Sequence, residues 1–279
     1  MSELAYSLRD ASVVAAMERN FAEEMTVWGH VLPTSVLHRE QELCWFVSGK
    51  PNMNGVLLTN LKSVEPAYVD AIIAAKIAYF QQRQDSFGWS VGPSTYPGDL
   101  VSSLKKHGFT HGFETIGLAV DLQEVPFAAE PQHLASLSIR EITDLDGMAI
   151  QRSIERAGFG ASEEVAMDYY HGYVRVGFGP GAPWRHYLGW WQGKPVAMCS
   201  LLLCAGVAGV YGVATLPDAR RLGIGTAMTY HALHVARAAD YRVAILTDTE
   251  MSRAIYQRMG FREHCRIAHY QWSPERIDN

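Results

Sequence analysis

The chain has 279 residues, 48% of them hydrophobic and 19% charged, and 29 Asp and Glu outweigh 24 Lys and Arg for a net charge of -5. That apolar content supports a sizeable core, and the length accommodates two domains of ordinary size. No block of Lys or Arg supplies the counterion-releasing surface that a nucleic acid or an anionic membrane needs, so neither is expected as a partner.

In chain order the first half reads as a helix over Arg9 to Met25, strands near Leu43 to Val47 and Val56 to Leu61, and a helix over Ala67 to Gln84. Strand Gly88 to Val91 then leads to a short helix that ends Leu104-Lys105-Lys106-His107-Gly108-Phe109. The N-terminus carries early acidic residues and no apolar segment before a small-residue cleavage site, so no secretory signal is expected. Cys44, Cys199, Cys204 and Cys265 form no C-x-x-C pair and read as reduced thiols of a cytoplasmic protein.

Residues 121 to 136, DLQEVPFAAEPQHLAS, lack periodicity and contain Pro126 and Pro131, which disfavour a continuing helix or strand. This places a domain over 1–125, a linker over 126–136 and a second domain over 137–279. The second half starts with strand Leu137 to Ile142, a helix capped by Asp144, and a helix over Ser162 to Tyr173. Strand Arg185 to Trp191 follows, and then an uncharged run from Val196 to Leu216 that is long enough to cross a bilayer. Gly206, Gly209 and Gly212 punctuate that run, and two buried strands turning at Ala205-Gly206 fit it better than a membrane span. A helix opening at Gly223, strand Val243 to Leu246, a helix from Met251 to Met259 and two closing strands, Phe261 to Cys265 and Ile267 to Trp272, complete a mixed α/β order. Tyr256-Gln257-Arg258-Met259-Gly260-Phe261 repeats the Gly-Phe ending of the first half, which suggests duplication of a domain.

The chemistry is carried by Val213 to Thr226, where a strand meets a glycine-bearing turn and then a helix. The first helical N–H groups lack intrahelical partners and point at the turn. Gly223 and Gly225 remove Cβ atoms that would hold a phosphate away, and Arg220 and Arg221 add positive charge. A Rossmann fingerprint would need a small residue at Met228, and no Gly-Lys-Ser/Thr of a P-loop occurs. Arg220-x-x-Gly223-x-Gly225 instead resembles the pyrophosphate-binding motif of the GCN5-related N-acetyltransferase (GNAT) superfamily, in its tandem, two-domain form with a degenerate N-terminal copy.

The resemblance implies a mostly antiparallel mixed α/β sheet flanked by helices, in two GNAT-like domains, with acetyl-CoA as co-substrate; no metal is expected, because the neighbourhood of His231 and His234 offers no further ligands. It assigns Arg220, Arg221, Leu222, Gly223, Ile224, Gly225 and Thr226 to the pyrophosphate and the backbone of Val213 and Thr215 to pantetheine. A bulge is expected within Val210 to Val213, where a freed N–H can face the thioester oxyanion. Tyr256 matches the family tyrosine near the sulfur, and a phenol, protonated at neutral pH, can act as general acid toward the departing thiolate. An aliphatic ammonium must lose a proton before it attacks, and the candidate bases are Asp248, Glu250 and Glu155. Thr249 stands where many relatives carry Asn. His231 and His234 read as ordinary helix residues, and Trp184, Tyr187, Trp190 and Trp191 as sheet packing rather than acceptor pocket.

In the first half, Thr59 to Pro66 carries no Gly-x-Gly, so that copy is not expected to bind CoA, while Gly88 to Ser94 resembles tandem bacterial acetyltransferase-like proteins. The leading expectation is acetyl transfer to a primary amine of a small molecule or peptide. A mycothiol synthase-like acetyltransferase and a non-catalytic CoA sensor remain alternatives, and neither the acceptor nor the oligomeric state is encoded in a motif.

Overall fold

In the computed structural model, which describes residues 7–10, 12–131, 134–247 and 252–274, the helix starts follow side-chain chemistry. Asp144 Oδ1 accepts the Gly147 N–H at 2.8 Å to open the helix Leu145–Phe159, and Ser162 Oγ accepts the Val165 N–H at 3.2 Å to open the helix Glu163–Val176. The first half comprises α1 (Val13–Met25), a 3-10 turn (Thr26–His30), β1 (Val36–Arg39), β2 (Leu43–Val47), β3 (Gly55–Thr59), α2 (Pro66–Gln81), β4 (Phe87–Val91), α3 (Leu100–Lys106) and β5 (Thr110–Asp121). The second comprises β6 (Leu137–Glu141), α4 (Leu145–Phe159), α5 (Glu163–Val176), β7 (Trp184–Trp191), β8 (Lys194–Cys204), β9 (Val207–Thr215), α6 (Ile224–Ala238), β10 (Val243–Thr247), α7 (Arg253–Arg258) and β11 (Arg262–Trp272).

The uncharged run is the β8–β9 hairpin, turning at Ala205 and Gly206, both at positive φ. No helix among the described residues is long and apolar enough to cross a membrane. The two closing strands expected from the sequence are one strand, β11, kinked by a register shift between Glu263 and Cys265. All four cysteines are free thiols.

Both halves end their last helix alike. Phe109 N–H bonds to the Leu104 carbonyl and Phe261 N–H to the Tyr256 carbonyl, across Gly108 at φ +86° and Gly260 at φ +98°. This is a glycine-closed helix end in each copy, and each Phe is buried under its sheet.

The eleven strands described form one sheet in the order β1-β2-β3-β4-β11-β5-β10-β9-β8-β7-β6. Pairing is antiparallel except for β3 with β4 and β9 with β10. The halves are strand-exchanged. β5, the last strand of the first half, lies between β10 and β11, while β11, the last strand of the second half, lies between β4 and β5.

Alternation along β10 divides the core. Ala244 and Leu246 face the α6 side, whereas Val243 and Ile245 face the side covered by α1, α4 and α5. Helix α1 thus packs across the second half's strands. Its Asn20, fully buried, holds the β8–β9 hairpin: Nδ2 lies 3.1 to 3.3 Å from the carbonyls of Leu202, Cys204 and Val207, and Oδ1 accepts the Tyr211 hydroxyl at 2.7 Å. Lys50 adds ion pairs to Glu164 and Asp168 on α5. Asn20→Leu, which strands these buried groups, is expected to cost about 3 to 5 kcal/mol in urea unfolding. A loss below about 1 kcal/mol would contradict the assigned bonds.

Candidate functional site

Strands β9 and β10 run side by side only briefly. They pair at Ala208–Ala244 and Gly209–Ile245 and no further, although β9 continues to Thr215 and β10 to Thr247. The cause lies on the other edge of β9. Met198 opposes Ala214 and Ser200 opposes Tyr211, so β9 spends three steps where β8 spends two. The extra residue falls at Gly212–Val213, with Gly212 at φ +57°, a left-handed value that favours glycine. The bulge lies within the expected Val210 to Val213, and beyond it the two strands diverge into a gap.

On one side of the gap stands α6. Gly223, at φ +85°, makes the turn into the helix, and no side chain caps it, so the first-turn amides of Ile224, Gly225 and Thr226 face outward. Arg220 is anchored to the backbone on either side of the loop. Its Nε donates to the Thr215 carbonyl at 3.0 Å and its Nη2 to the Gly158 carbonyl at 2.6 Å, so the exposed guanidinium ties the loop to β9 and α4. Arg221 and Leu222 are exposed.

Tyr256 is also on the α6 side. It is half-buried against the core cluster beneath α6, with its ring 5.9 Å edge-on to Phe261. It does not line the cavity described next. Asp248, Thr249 and Glu250 lie outside the described residues.

On the other side of the gap, between the two halves, is a cavity of about 800 Å³. Tyr211, Gly212 and Thr247 bring the ends of the diverging strands to its wall, α1 contributes Glu18, Phe21 and Glu24, and α4 contributes Glu155. Of the three candidate bases, Glu155 is thus the one the described structure places. Its residue is 7% exposed, and burial together with the charge of Glu24 raises its carboxyl to about 8. Glu24, which the sequence reading did not single out, is raised to about 7 by burial. Tyr169, Tyr173 and Tyr211 are all pushed up by burial and stay protonated. His269 is pulled down to about 4 and held neutral between Ser90 Oγ and Thr115 Oγ1.

The corresponding crevice of the first half is closed. Trp89 on β4 donates its indole N–H to Thr59 Oγ1 at 2.9 Å, and the Asn60–Tyr96 bridge continues the pairing past β3. The α2 start carries Pro66 and no glycine turn. Trp184 and Tyr187 are core residues and neither lines the cavity. His231 packs on Tyr187, while His234 meets Glu130 at 3.2 Å and stacks on Phe127.

The site is a parallel strand pair splayed by a bulge, with a glycine-turned helix on one face and a cavity on the other. Residues 144–261 match the acetyltransferase (GNAT) family. No curated protein matches the sequence. Among solved structures, the chain is similar to a GCN5-related N-acetyltransferase from Kribbella flavida, at 20% identity and TM-score 0.68, covering 94% of this chain and 96% of that one. It is also similar to a tandem GNAT protein from the clavulanic acid biosynthesis pathway, at 17% identity, TM-score 0.66 and 99% of both chains. A GCN5-related N-acetyltransferase from Sphaerobacter thermophilus matches at 14% identity and TM-score 0.61 over 98% of this chain and 95% of its own. Residues 144–261 are thus an acetyltransferase (GNAT) domain, which makes the protein an acyltransferase, and the whole chain shares the two-domain fold of these structures.

Proposed function

We propose that the protein transfers the acetyl group of acetyl-CoA to a primary amine bound in the cavity between its halves, with residues 137–279 as the catalytic domain and 1–125 as a copy that binds no CoA. The observation that carries this reading is the β9–β10 gap, which joins the α6 start to a cavity holding a buried carboxyl. The first-turn amides of α6 after Gly223 suit a pyrophosphate, and the backbone of Val213 and Thr215, which β10 does not pair, suits pantetheine by strand addition. Arg220 positions that loop, and Arg221 supplies charge nearby.

In this reading Glu155 takes a proton from the acceptor ammonium, and the nitrogen lone pair attacks the thioester carbonyl. The C–N bond forms, the C–S bond breaks, and the nitrogen loses a second proton. One of the two protons ends on the CoA thiol, with Tyr256 as its donor on the α6 side, and the other leaves to solvent. The bulge at Gly212–Val213 lies where a backbone N–H can meet the oxyanion.

Acetyl-CoA calorimetry tests the donor site. Gly223→Val, which forces a branched side chain into a left-handed turn, is expected to weaken binding at least about a hundredfold. Tyr256→Phe is expected to keep that affinity and slow thiol release about a hundredfold. No binding of acetyl-CoA by the intact protein overturns the reading, and binding without release of thiol for any amine favours a CoA sensor instead.

A further inference from the structure

The cavity carries formal charge of one sign. Glu18, Glu24, Glu114 and Glu155 line it, and no Lys or Arg does among the described residues. Its one imidazole, His269, is engaged by two hydroxyls and neutral. Between the acids the wall is apolar, built by Phe21, Phe46 and Met53 from the first half and Tyr169 and Tyr173 from the second.

The four acids are not equivalent. Glu114 is exposed and pairs with Arg266 at 3.2 Å. Glu18 accepts the Ser94 N–H at 2.8 Å and the Ser94 hydroxyl. Glu155 is more than nine-tenths buried, makes no hydrogen bond or ion pair among the described residues, and has Glu24 as its electrostatic neighbour. Two desolvated carboxyls that face each other across a cavity without a cation repel when ionised, and a cation between them removes that penalty.

Resting on the acetyl-transfer reading above, the geometry points to a primary amine on an apolar aryl or alkyl body as the acceptor, with no carboxylate or phosphate of its own. Its ammonium sits between Glu155 of the catalytic half and Glu24 of the other half. An anionic substituent would meet only glutamates, and a long polar body would desolvate against the aromatic wall. The half without a CoA site thereby supplies one of the two carboxylates that bind the substrate, which gives the degenerate copy a function.

2-Phenylethylamine and L-phenylalanine share an aromatic body and an amine and differ by one carboxylate, so they are suitable probes for calorimetry on the full chain. The amine is expected to bind at least about a hundredfold more tightly than the amino acid, a difference of about 2.7 kcal/mol. Glu24→Gln is expected to weaken amine binding about tenfold or more and Glu24→Asp to restore part of it, with acetyl-CoA affinity unchanged in both. Equal binding of the amino acid, amine binding indifferent to Glu24→Gln, or no amine binding by a variant-free protein would each overturn the inference. Thiol release separates the two readings. Glu24-dependent amine binding without transfer sinks the acetyltransferase reading alone, whereas transfer to 2-phenylethylamine with a KM indifferent to Glu24 sinks the cation site alone.

Discussion

Glu155→Gln is expected to make the protein more stable and far less active at the same time. In the folded chain this carboxyl is raised from 4.5 to about 8, so between those values the fold keeps a proton that the unfolded chain has released. The folded state then binds more protons, and stability falls as pH rises, levelling off above the folded value. Glu24 acts in the same direction up to about 7. Gln does not titrate, so the stability advantage of the variant is expected to be negligible below pH 4.5, to grow through the interval and to reach on the order of 4 kcal/mol above about pH 8. Catalysis moves the other way. Loss of the base is expected to lower kcat/KM about a hundred- to ten-thousandfold and to abolish the rise in rate through the titration of the Glu24–Glu155 pair. Urea unfolding and thiol release across pH read the two effects. A variant that is destabilised at pH 8, or one that keeps its activity, would remove Glu155 from the role of base.

The elements were legible in the sequence wherever one rule dominated. The glycine turn at Gly223, the hairpin at Ala205-Gly206 and the bulge near Gly212 are each dictated by a residue that tolerates a conformation others resist. Glu24 and Asn20 were not legible, for a common reason. They sit on an amphipathic helix whose second face is covered by strands and helices from more than a hundred residues away, so their burial is a tertiary fact. In the sequence Glu24 looks like one of two solvated acids at a helix end. Local signals also place a break at Arg266, where β11 runs on in regular register with β5, its register shifts falling between Glu263 and Cys265 and between His269 and Tyr270. Helix α1 starts at Val13 rather than Arg9, and the four-residue β1, with His38 and Arg39, offers no apolar alternation to read. Strand exchange escapes local reading altogether, because β5 and β11 carry ordinary strand patterns and nothing in them names the partner.

That exchange governs what happens when the chain is cut. Residues 1–125 alone would keep β5 but neither of its neighbours, since β10 and β11 both belong to the other half, and β4 would lose β11. Residues 137–279 alone would keep β11 with neither β4 nor β5 beside it, and β10 would expose an edge. Each fragment would thus carry an unpaired strand of eleven or twelve residues and one further open edge, the arrangement that promotes aggregation. The second fragment would also lose Asn20 from its hairpin and Glu24 from its cavity. Each half expressed alone is therefore expected to be insoluble or unfolded, whereas the two co-expressed are expected to assemble one to one and bind acetyl-CoA, because the covalent linker makes none of the pairing contacts. Size-exclusion chromatography with acetyl-CoA calorimetry on the three preparations reads the result. A soluble, cooperatively folded fragment 137–279 that binds acetyl-CoA as the full chain does would mean that the exchanged strands are dispensable to the donor site.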